Sequence, residues 1–188
     1  MNLQNKTVLF LGSSVTYGSA AGGVSFAEHM AKQLNFHMIK EAVSGTTLAD
    51  TDETSYVARL KKLDTDMPVD LFICQLSTND AWKKIDPRLT EAAIREIVVH
   101  VRGAWNCPIA FYTGTKYDSP EYAGLVELLL QLAKELDFSV LDLWHDPEMN
   151  AVSPEDYARY MHDPVHPFDV GYREWWTPRF VEFVGALG

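Results

Sequence analysis

Between Val69 and Leu76 lie eight residues, Val-Asp-Leu-Phe-Ile-Cys-Gln-Leu, that are almost continuously apolar. Asp66-Met67-Pro68 breaks the chain before this run and Ser77-Thr78-Asn79-Asp80 ends it, bounds that suit a strand. Its apolar residues do not alternate with polar ones, so both faces need cover. A central strand of a parallel sheet, with helices on either side, supplies that cover.

Four further apolar runs read as strands: Val8 to Leu11, Phe36 to Ala42, Pro108 to Tyr112 and Phe138 to Leu143. Helical spacing separates them. Ser25-Phe26-Ala27-Glu28 is a capping box, followed by Met30, Ala31 and Leu34 at helical spacing to about Asn35. Tyr56, Leu60 and Leu63 mark a shorter helix, and Ile94, Ile97, Val98 and Val101 lie on one face of another, from about Thr90 to Ala104. Ser119-Pro120 opens a helix that runs to Leu136, with serine as the cap and proline at the first position. An irregular segment from Trp144 to Val170 holds a short-helix start at Ser153-Pro154. Gly171 to Leu187 reads as a last helix that Pro178 must kink or delay. This β-α alternation predicts an α/β fold, a three-layer α/β/α sandwich on a five-stranded parallel sheet of flavodoxin-like order 2-1-3-4-5. At 188 residues the expectation is one domain over 1–188.

Composition narrows the partners. A formal net charge of -10 argues against nucleic acid, whose phosphates need clustered Lys and Arg, and disfavours anionic membranes. Cys74 and Cys107 lie in or beside apolar runs and read as buried small hydrophobes. No signal-peptide pattern precedes the first strand, and no apolar run approaches the roughly 18 residues of a membrane span. A soluble, cytoplasmic protein is the expectation.

In an open α/β sheet, ligands bind beyond the carboxyl ends of the strands. Those ends carry Ser14, Gly45 and Asn79, while the late loop adds His162-Asp163-Pro164-Val165-His166-Pro167. A serine nucleophile needs a base, an acid that orients the base, and donors for an oxyanion. All these residue types occur on one predicted edge. Each also has a plainer reading: a turn serine, an Asx cap at Asn79-Asp80, with Asp80 holding the loop, and a structural His166–Asp163 pair. His145, Asp146, His162, Asp163 and His166 lack His-x-x-x-His spacing with a third ligand, against a metal centre. The glycines from Gly12 to Gly23 fit neither dinucleotide-binding nor P-loop spacing. Trp82 and Trp144 are candidates for the rim of a pocket, and Trp175-Trp176 for a split between core and surface.

The pattern resembles the SGNH (GDSL-type) hydrolases. Gly12-Ser13-Ser14-Val15 stands where that family has Gly-Asp-Ser-Leu, Gly45 matches the glycine of its second block, and Ser77-Thr78-Asn79-Asp80 matches Gly-x-Asn-Asp. Asp163-Pro164-Val165-His166 matches Asp-x-x-His. The resemblance implies a serine esterase with Ser14 as nucleophile, His166 as base and Asp163 orienting it. It implies an oxyanion site of the Ser14 and Gly45 N–H groups and the Asn79 side chain. No metal or organic cofactor is implied, and the partner is a small-molecule ester, with short acyl groups such as O-acetyl favoured. Acyl transfer, thioester cleavage and a catalytically silent binding module are the other readings on the same fold. Ser13 and Ser77 replace the family's aspartate and glycine.

Overall fold

The computed structural model describes residues 1–187. In chain order the elements are β1 (Thr7–Gly12), α1 (Ser14–Tyr17), α2 (Phe26–Leu34), β2 (His37–Ala42), α3 (Tyr56–Leu60), β3 (Leu71–Gln75) and α4 (Thr78–Trp82). They continue with α5 (Pro87–Ala104), β4 (Ile109–Tyr112), α6 (Pro120–Leu136), β5 (Ser139–Leu141), α7 (Pro154–Tyr160), α8 (Asp169–Gly171) and α9 (Thr177–Ala186). The sheet is parallel throughout, in the order β2-β1-β3-β4-β5, as the alternation predicts.

Strand alternation divides the core in two. Leu9, Leu11, Phe72, Cys74 and Phe111 face one layer, where α3, α5 and α6 contribute Tyr56, Ile94, Ile97, Leu125 and Leu129. Val8, Phe10, Leu71, Ile73 and Tyr112 face the other, against Phe26 and Met30 of α2 and Phe180 and Val184 of α9. Phe26 stacks on Phe180 with centroids 3.8 Å apart, and the edge of Tyr112 meets Phe180 at 5.1 Å. The helices start where short polar residues satisfy their free N–H groups. Ser25 and Glu28 form the capping box of α2, and Ser119 accepts from Tyr122 N–H at the head of α6.

Several details depart from the sequence expectation. The segment after β1 is a helical turn, α1, and Ser77 to Trp82 is a short helix, α4, with Ser77 capping it by accepting from Asp80 N–H. Helix α5 begins at Pro87, not Thr90, because Asp86 caps it and proline needs no N–H partner in a first turn. β5 is only three residues long. Before Pro178 the chain makes a π-helical turn over Tyr172–Trp176, with Thr177 N–H reaching back to Tyr172 O. A wide turn of this kind relieves the ring clash that proline brings to a helix interior. Trp175 and Trp176 are both buried, contrary to the expected split, because α9 lies flat on the sheet and the turn before it faces inward.

Candidate active site

The turn that carries Ser14 gathers around one side-chain oxygen. Gln75, at the end of β3 and buried, accepts through Oε1 from Ser13 N–H at 3.0 Å, Thr16 N–H at 3.3 Å and Thr16 Oγ1 at 2.8 Å. Tyr112 OH lies 2.6 Å from Thr16 Oγ1, and Tyr172 OH donates to Val15 O at 2.7 Å. A Cβ on Gly12 would overlap the Thr16 side chain, so the turn can pass this close to β3 only with glycine there. The result fixes Ser14 as the first residue of α1, with its N–H free of any acceptor among the described residues.

Across the edge of the sheet, the loop between α7 and α8 folds back on itself. Asp163 Oδ1 accepts the N–H groups of Val165 at 2.8 Å and His166 at 2.9 Å, which turns the His166 ring toward the carboxylate. His166 Nδ1 is 2.8 Å from Asp163 Oδ2, and its Nε2 is 2.8 Å from Ser14 Oγ. Burial pushes the Asp163 carboxyl up, but the Val165 N–H and the ring and backbone N–H groups of His166 outweigh it and hold the group below its ordinary value. The carboxylate therefore stays charged beside the His166 imidazole.

Asn79 sits in the first turn of α4 and donates through Nδ2 to Thr46 O at 2.8 Å. Asp80 points the other way, into the core, where it accepts from Leu48 N–H, Ala49 N–H and Thr90 Oγ1. It holds the loop after β2, as expected. Gly45 lies in that loop at φ +81°, exposed, its carbonyl accepting from Lys83 Nζ at 2.8 Å and its N–H without an acceptor among the described residues. Ser14, Asn79, Asp163 and His166 line one open cavity of about 440 Å³; Gly45 is not among its lining residues.

Trp82 lines the same cavity and is 82% exposed, a rim residue as expected. Trp144 is not: it is 5% exposed, with its ring edge against Tyr117 and Tyr122, because the chain leaving β5 turns inward there. The late histidines do not converge. His145 pairs with Asp142 and Glu127, Asp146 with Arg179, and the ring of His162 meets Phe168 edge-on. Two groups escape the sequence reading, Gln75 and Arg59. A lone polar residue ending an apolar strand is the signal for the first, and an arginine inside the Tyr56–Leu60 apolar helix the signal for the second.

The fold and the matched sequence blocks define a class, the ester-hydrolysing serine hydrolases. Residues 10–174 match the sequence model of the GDSL-like Lipase/Acylhydrolase family, and the chain belongs to that family. No curated protein sequence matches the chain. Among solved structures, a Lactobacillus plantarum protein superposes with a TM-score of 0.79 at 17% identity, covering 98% of this chain and 99% of its own. An acetylxylan esterase from Geobacillus stearothermophilus gives 0.75 at 18% identity, covering 100% and 98%. A family two carbohydrate esterase from Clostridium thermocellum gives 0.73 at 14%, covering 96% of this chain and 64% of that one. At these identities the likeness shows the fold alone. Among the described residues, no helix is long and apolar enough to cross a membrane.

Proposed function

We propose that the chain is a serine esterase whose reacting residues are Ser14, His166 and Asp163, acting on short acyl esters. The observation that carries this reading is the unbroken chain of contacts from Ser14 Oγ through the His166 ring to Asp163, each step 2.8 Å. His166 Nε2 takes the hydroxyl proton as Ser14 Oγ bonds to the ester carbonyl carbon. The carbonyl oxygen becomes an anion facing the Ser14 N–H, the Gly45 N–H and the second N–H of Asn79 Nδ2. As the intermediate collapses, the carbon–oxygen bond to the alcohol breaks and His166 returns the proton to the leaving oxygen. A water, deprotonated by His166, then cleaves the acyl-enzyme, freeing the acid and restoring Ser14.

A compact chain without lid-like apolar helices favours short acyl groups. The leaving alcohol must lie beside His166, in the 440 Å³ cavity that Trp82 borders. A large alcohol with a small acyl group describes an acetylated carbohydrate or similar polyol, and two of the structural neighbours are named as carbohydrate-ester hydrolases.

The test is a panel of p-nitrophenyl esters from acetate to octanoate together with acetylated sugars, assayed with wild type and Ser14→Ala. Wild type should prefer acetate, and the folded serine variant should lose about 10⁴-fold or more in kcat. A folded Ser14→Ala protein with wild-type rates would refute the assignment.

A further inference from the structure

Arg59 touches none of the reacting groups, yet all five of its N–H donors are engaged at the edge of the sheet that carries them. Nε donates to Thr54 O at 2.9 Å; Nη1 to Glu41 O at 3.0 Å and Glu41 Oε1 at 2.9 Å; Nη2 to Gly12 O at 2.8 Å and Thr46 Oγ1 at 3.2 Å. The side chain is 8% exposed. Gly12 ends β1 immediately before the Ser13-Ser14 turn, Glu41 lies at the end of β2 before the Gly45 loop, and Thr46 follows Gly45 directly. The Thr46 carbonyl is in turn the acceptor that holds the Asn79 amide. One planar cation thus joins the segments that present all three oxyanion donors.

We infer that Arg59 is a positioning residue for the oxyanion site, setting the spacing between the Ser14 N–H, the Gly45 N–H and the Asn79 amide; this rests on the esterase reading above. Oxyanion donors act only when pre-set to within about 0.5 Å of their productive position around the developing charge. The loop bearing Gly45 is exposed from Val43 to Gly45, so it needs an anchor from the buried side. A guanidinium suits that task because its donors radiate in a rigid plane and reach separate acceptors at once. The Glu41 carboxylate compensates the buried charge, and the carbonyls complete its hydrogen bonding. An ammonium offers three donors from a single point and cannot span from Gly12 to Thr54.

The experiment uses the full chain with Arg59→Lys and with Thr46→Val, which deletes the acceptor beside Gly45 together with its bond to Val43 O. Two readouts are taken: p-nitrophenyl acetate kinetics, and affinity for a boronic acid whose tetrahedral adduct on Ser14 places an anionic oxygen in the oxyanion site. Arg59→Lys should lower kcat about 10–100-fold and Thr46→Val by a smaller factor, each with KM within about threefold and boronate affinity falling in step with kcat. A purely structural arginine would lower the melting temperature and leave kcat per titrated site and boronate affinity untouched; that result overturns the inference. If Arg59→Lys does not fold, Thr46→Val decides alone, and wild-type kcat and boronate affinity in that variant overturn it. A wild-type protein that neither cleaves the ester nor captures the boronate is a different result, because it refutes the esterase reading itself.

Discussion

Ser13 and Ser77 stand where relatives carry aspartate and glycine, and both have structural employment here. Ser13 is buried and donates its N–H to Gln75, so a neutral amide is the side chain that meets position 13. Ser77 caps α4 and so aims the first turn that bears Asn79. Neither substitution disturbs the contact between Ser14 and His166, which argues against a silent binding module. The two cysteines show how burial sets reactivity. Burial pushes the Cys107 thiol up to about 11, and Cys74, fully enclosed, well above its ordinary value. A raised thiol stays protonated at neutral pH, and only the thiolate is nucleophilic. Native protein should therefore resist iodoacetamide at pH 8, with Cys107 labelling only as pH climbs toward 11 and Cys74 only after unfolding. Rapid labelling of either at pH 8 contradicts this picture.

The elements that read clearly in the sequence are those whose ends carry strong chemistry: Ser25 with Glu28, and Ser119 with Pro120. Asp86-Pro87 is a start signal of the same kind, and α5 begins there, three residues ahead of the first expected position. The short helices α1 and α4 have no periodicity to read, since four or five residues make barely one turn and take their shape from Gln75 and Ser77. On the esterase reading, activity depends on the loop between α7 and α8, which carries Asp163 and His166. It is pinned where α8 passes α7, and there Gly171 packs on the Tyr160 carbonyl so closely that an added methyl would overlap it. Phe168 N–H also donates to that carbonyl, at 2.8 Å. Gly171→Ala must push α8 away from the end of α7, and with it the loop that joins them. The expected loss is about 1–3 kcal/mol of stability, the usual range for overpacking, with kcat reduced more than KM is raised as the His166 ring moves off Ser14. Chemical denaturation and steady-state kinetics on one preparation would check both; unchanged kcat would show that the loop is held elsewhere.

The molecule as a whole brings together residues 152 positions apart, Ser14 and His166, because β1 is an interior strand of a parallel sheet and the last third of the chain returns across its carboxyl edge. That much follows from the strand pattern and the serine, asparagine and Asp-x-x-His blocks. What the sequence left unread is the support beneath them. Arg59 and Gln75 act largely through main-chain groups, and a hydrogen bond to a carbonyl or an amide leaves no mark on the residue that provides it. Gly45 is the reverse case: its block was visible, but only its free N–H and left-handed backbone, and no place in the cavity wall, speak for its part in the oxyanion site. Intact-mass analysis after treatment with a fluorophosphonate decides whether Ser14 is an activated nucleophile. Wild type should gain one adduct, mapped to the peptide containing Ser14, while folded Ser14→Ala gains none; a wild-type protein that stays unmodified, or an adduct that persists in the variant, would rule out Ser14 as the nucleophile.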